Sequence, residues 1–122
     1  MNNWTRTIYS LIAKTSTELP DDVREAISRA IDTEAEGSNA RQTLETMYHN
    51  DEIACRCRRP ICQDTGSLIF YIKIPPGFSA LQLKEAACQA VRQATEDGLL
   101  RQNCVDPLTD RNTTDNTGPG SP

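Results

Sequence analysis

Apolar positions recur along this chain with a helical period in four stretches and with a period of two in one. Over residues 5–19, Ile8, Leu11, Ile12 and Leu19 fall on one helical face, with Thr5 placed to cap the free amides. Pro20 interrupts that run, and Asp21 is placed to cap a second helix over 21–36. Val23, Ala26, Ile27, Ala30 and Ile31 line its apolar face, and Gly37 is suited to end it. A third helix, opened by Ser38 or Asn39 and carrying Ala40, Leu44, Met47 and Tyr48, is expected over 39–57. Residues 68–74 instead alternate Leu68, Phe70, Ile72 and Ile74 with Ile69, Tyr71 and Lys73, the pattern of a strand with two largely apolar faces. Pro75-Pro76-Gly77 stops it. Ser79 then caps a fourth helix over 80–97, whose small-residue stripe of Leu83, Ala86, Ala87, Ala90, Val91 and Ala94 permits close packing, and Gly98 ends it.

Residues 102–122 are rich in Asn, Asp, Thr, Gly and Pro and are expected to form an irregular tail. The fold class that follows is α+β, helices first, with at least one strand. A single strand satisfies neither its own ladder donors nor both apolar faces, so its sheet neighbours must come from elsewhere. The whole stretch 1–122 therefore reads as an incomplete, N-terminal portion of a larger domain. Ile, Leu, Val and Phe make up only 23 of 122 residues, a thin core that needs a covering partner, while a net charge of -4 is too small to favour disorder.

The sequence pI near 4.9 and 5% aromatic content argue against nucleic-acid binding, which needs a basic face; Arg56, Arg58 and Arg59 form the one basic cluster. No apolar run is long enough to span a bilayer, and the first residues lack the order of a signal peptide, so a cytoplasmic, membrane-free protein is expected. Five cysteines, an odd number without an export signal, point to reduced thiols or metal ligands rather than a disulfide framework.

The densest chemistry lies at Pro60-Ile61-Cys62-Gln63-Asp64-Thr65-Gly66, which sets a soft metal ligand, an amide and a carboxylate side by side ahead of the expected strand. Each residue also has a plainer reading. Cys62 could be a small buried thiol, Asp64 a turn cap, and Arg101 a helix-end cation. Cys55, Cys57 and Cys62 form a C-x-C-x4-C cluster that could serve a small zinc or iron module. Cys88 sits on the alanine stripe and reads as core, Cys104 is open to either role, and His49 reads as a helix C-terminal histidine.

The heptapeptide PICQDTG resembles the signature of the iron-sulfur hydro-lyases that comprise class I fumarases and the alpha subunit of L(+)-tartrate dehydratase. Four further stretches agree in order: Leu19-Pro20-Asp21-Asp22-Val23, Leu99-Leu100-Arg101, Val105-Asp106-Pro107-Leu108 and Asn112-Thr113-Thr114-Asp115-Asn116-Thr117. The chain departs from that pattern at Thr114, where the family usually has glycine, and a β-branched residue there is strained if the backbone dihedral is positive. The resemblance covers nearly all of this chain but only the first part of the family's catalytic domain.

It implies a 4Fe-4S cluster held by three cysteines, with Cys62 as one ligand and the others well downstream of the signature. It also implies that Gln63 and Asp64 line a dicarboxylate site, with Asp64 as the catalytic carboxylate, and that Arg101 contacts a substrate carboxylate. The implied reaction is reversible hydration of a short dicarboxylate of the fumarate, malate or tartrate type. The implied partners are the rest of the alpha domain and a beta subunit or fused beta domain. On this reading the isolated chain is inactive; the rival readings are the small cysteine metal module and a non-catalytic truncated fragment.

Overall fold

Four helices form where the apolar period places them, although their ends are set by local capping that the period does not reveal. The computed structural model describes residues 2–62, 67–119 and 121. They form α1 (Asn3–Thr17), α2 (Asp21–Thr33), α3 (Asn39–Cys57) and α4 (Ala80–Glu96), followed by two short strands, β1 (Val105–Asp106) and β2 (Arg111–Asn112).

Asn2, not Thr5, caps α1: its Oδ1 accepts the Thr5 amide at 2.8 Å. Thr5 is instead fully buried against α4, its hydroxyl 2.9 Å from Asn2 Oδ1 and 3.2 Å from Gln89 Oε1. Pro20 occupies the cap position of α2 and offers no side-chain bond, while Asp21 and Asp22 lie in the first turn, where negative charge complements the helix dipole. That helix ends at Thr33, before the expected boundary, and Gly37 (φ +76°) turns the chain into Ser38, which caps α3 by accepting the Arg41 amide. Ser79 caps α4 as expected.

The core lies between α1 and α4. Ile8 and Ile12 meet Leu83, Ala86, Ala87, Ala90, Val91 and Ala94, closed at one end by Leu99 and Leu100. Ala90, Val91 and Ala94 have no exposed surface at all, so the small stripe does bring the two helices together. The α2–α3 hairpin has less to bury, chiefly Ile27 and Ala54. A buried carboxylate holds it instead: Asp51 Oδ1 accepts the Leu19 amide at 2.8 Å, and Oδ2 lies 2.9 Å from Arg24 Nε. The Arg24 Nε–H is not aligned on that oxygen, so the contact is ionic rather than a hydrogen bond. The same guanidinium stacks 5.7 Å from the Tyr48 ring centroid.

Two expectations need correction. Residues 68–74 are not a strand of any ladder in the structure, because among the described residues no neighbouring strand pairs with them. Leu68 and Phe70 lean on the core, whereas Ile69, Tyr71, Ile72 and Ile74 are exposed. The 102–122 stretch, expected to be irregular, contains the only strand pair among the described residues, antiparallel with Val105 opposite Asn112 and Asp106 opposite Arg111. Its turn formers make the hairpin: Asp106 Oδ1 accepts the Leu108 amide at 2.8 Å and Asp106 O accepts the Asp110 amide at 2.8 Å. The α+β class stands.

Candidate functional site

The segments that carry Cys62 and Arg101 leave α3 and α4 through the same helix-ending device. At the end of α3, Arg58 adopts φ 50°, its amide donating to Cys55 O and the Arg59 amide to Ala54 O. At the end of α4, Gly98 adopts φ +73°, its amide donating to Thr95 O and the Leu99 amide to Ala94 O. Both are Schellman closures, which turn the chain sharply at a left-handed residue. The two ends touch. A Cβ on Gly98 would lie 2.6 Å from Arg59 Nη1, so the positive dihedral favours glycine there and any side chain would displace the guanidinium seated over it.

Beyond α3, Ile61 is held from two sides. Its amide donates to Ser16 O at 3.0 Å, and its carbonyl accepts from Asn50 Nδ2 at 2.9 Å. Cys62 follows directly, its thiol exposed at a recess lined by Ile12, Leu19, Ile61, Leu68 and Leu100, with Thr15 and Ser16 at its polar edge. Gln63 and Asp64 lie outside the described residues. Leu100 is shared between that recess and the core, and Arg101 leaves it as an exposed residue. The structure thus brings the stretches bearing Cys62 and Arg101 to one wall.

Asn116, buried in a left-handed conformation (φ 59°), anchors the chain around Arg101. Its Nδ2 donates to Arg101 O at 2.7 Å and to Thr95 Oγ1 at 3.1 Å, and its Oδ1 accepts the amides of Asn103 at 2.9 Å and Cys104 at 3.1 Å. All four bonding positions of the carboxamide are used. Next to it, Asp115 accepts the Thr117 amide and hydroxyl and pairs with Arg92 at 3.1 Å. Partial burial works against the Asp115 charge, but the Thr117 bonds and the Arg92 guanidinium outweigh it and hold the carboxyl below its usual range. Sequence reasoning assigned neither Asn50 nor Asn116 a role; an exposed helical asparagine carries no pattern signal, and the bonds of Asn116 span 12 to 21 residues.

A second crevice between α1 and the end of α3 is lined by Tyr9, Lys14, Cys55, Arg56 and Arg58. Tyr9 donates to Asp97 Oδ2 at 2.6 Å, and that hydrogen bond, aided by burial, raises the phenol pKa against the pull of Arg58. Cys55 opens onto this crevice and Cys62 onto the other recess, so the C-x-C-x4-C cysteines do not converge. Among the described residues, no three His, Cys, Asp or Glu side chains group as a metal site. Cys88 and Cys104 are half-buried. His49 is exposed beside Glu52, at 3.5 Å. No helix among the described residues is long and apolar enough to cross a membrane. Among the described residues Cys62 is the one thiol at this apolar wall, which fits one ligand of a cluster completed by other residues and does not fit a complete site.

Comparison with known proteins places this chain in a family. Residues 5–120 match the family model for fumarate hydratase (Fumerase). A Geobacillus stearothermophilus protein described as a fumarate hydratase class I is 48% identical over 115 residues, which cover 94% of this chain and 22% of that protein. The L(+)-tartrate dehydratase subunit alpha of Escherichia coli K12 is 36% identical over 123 residues, covering 100% of this chain and 40% of that subunit. The subunit alpha of Escherichia coli O157:H7 matches to the same extent. The chain therefore spans less than half the length of these relatives, and it belongs to the fumarate hydratase (Fumerase) family.

Proposed function

We propose that this chain forms the N-terminal part of the catalytic domain of a hydro-lyase that adds water to, or removes it from, a short dicarboxylate of the fumarate, malate or tartrate type. The match over residues 5–120 carries this reading. On it, Cys62 is one thiolate ligand of a 4Fe-4S cluster, and the remaining ligands come from sequence outside this chain. When bound, such a cluster supplies a Lewis-acidic iron for the hydroxyl that enters or leaves.

The chain's own groups do the rest. The Arg101 guanidinium presents a planar fork of donors suited to a substrate carboxylate, Gln63 orients the substrate through its amide, and the Asp64 carboxylate moves or positions the proton. Ile12, Leu19, Leu68 and Leu100 give the recess beside Cys62 an apolar wall. Residues 68–74 take sheet neighbours from the rest of the domain, and a beta subunit or fused beta domain completes the enzyme.

Anaerobic reconstitution of the 122-residue chain alone is expected to give no stoichiometric cubane absorption and no turnover of fumarate, malate or tartrate. In the assembled enzyme, Cys62→Ser is expected to lower activity by at least about a hundredfold, beyond what loss of an outer-shell partner costs. A stoichiometric cluster on the lone chain, or full activity of the serine variant, refutes the proposal.

A further inference from the structure

We infer that Asn116 is a positioning residue for Arg101, fixing where its guanidinium meets the substrate carboxylate; this rests on the reading of Arg101 proposed above. The Arg101 carbonyl accepts from Asn116 Nδ2 at 2.7 Å and from the Asn103 amide at 3.0 Å. The Asn103 and Cys104 amides both converge on Asn116 Oδ1. One carboxamide therefore clamps the backbone at Arg101 and again two and three residues later. Its other donated bond, to Thr95 Oγ1, ties that clamp to the last turn of α4, and Thr95 is itself anchored on Val91 O at 2.8 Å.

Asparagine suits this position for two reasons. It tolerates the left-handed backbone found here, and its side chain both donates and accepts, which a carboxylate does not do when ionised. The rigid body behind the clamp is the most buried part of the molecule, since Val91 and Ala94 have no exposed surface. Arg101 itself is exposed, while its backbone is held closely. A guanidinium on a freely moving backbone samples many positions, and a displacement of about 1 Å at a binding group can cost up to a hundredfold in rate.

The experiment compares Asn116→Gly with Ile8→Val and Arg101→Lys in the assembled enzyme. Glycine keeps the left-handed backbone and removes the carboxamide, so KM for the dicarboxylate should rise about tenfold or more with kcat changed far less. Ile8→Val, a core change that lowers stability without touching the clamp, should leave KM unchanged. If Asn116→Gly does not accumulate as folded protein, Asn116→Asp, which keeps both accepted bonds and loses both donated ones, takes its place with the same expected rise in KM. An unchanged KM in the Asn116 variant, or an equal rise in Ile8→Val, overturns the inference. An unchanged KM in Arg101→Lys overturns the assignment of Arg101 on which it rests.

Discussion

Thr114 carries the clearest local strain of the molecule. Its φ is 66°, in the left-handed region that disfavours β-branched residues. The resemblance to a pattern with glycine at this position raised that question, and the structure answers it. The conformation is tolerated because Asn112 Oδ1 accepts the Thr114 amide at 2.7 Å and the Thr114 hydroxyl donates to Thr113 O at 2.7 Å. Thr114→Gly should relieve the dihedral and raise stability by about 1 kcal/mol, net of the extra freedom glycine gains in the unfolded chain. A higher urea midpoint with unchanged slope would show it; a lower midpoint would mean that the two bonds outweigh the strain. Arg58 also lies in this region, at φ 50°, but without a β-branch its penalty is smaller.

Among elements, the loop after β2 is held to α4 chiefly by side chains with charge or amide groups, not by apolar burial. Asp115 is central to that connection. Its carboxyl titrates lower in the folded state than in the unfolded chain, so the folded state is favoured by its charge above the ordinary value of 3.8, and that contribution is lost as pH falls through the lower folded value. The difference in urea midpoint between the native chain and Asp115→Asn should therefore be present near neutral pH and close progressively in acid. A gap that stays constant down to the acid transition would show that the Arg92 pair and the Thr117 bonds do not stabilise the loop through charge. Helix positions were legible because a period of three to four residues is a local signal, as the stripe from Leu83 to Ala94 shows. The hairpin was not, because Asp106, Pro107 and Asp110 signal turns whether or not strands flank them. The 68–74 segment erred the other way: its alternation describes faces ready for a sheet, and a sheet also needs neighbours.

For the whole molecule, apolar surface is unevenly distributed. The α1–α4 core is closed, while Ile69 and Tyr71 are 71% and 93% exposed on a segment that pairs with no strand among the described residues. The chain alone should self-associate as its concentration rises, and sedimentation velocity should show Ile69→Lys with Tyr71→Lys reducing it. Because both side chains are exposed, the double variant should change folding stability by no more than about 0.5 kcal/mol per site. Undiminished association would place the contact elsewhere. Of the candidate site, short motifs singled out Cys62 and Arg101, but the bonds from Asn50 and Asn116 to the backbone around them were not legible, since partners far apart in sequence leave no periodic trace. The seat at Gly98 shows how such distant parts become one unit. Arg59 stands three residues before Cys62 and Gly98 three before Arg101, and the guanidinium rests where a side chain at 98 would be. A missing atom in one turn of the chain thus leaves room for a cation from another, and a methyl group placed there would push the Arg59 side chain off its seat over the end of α4.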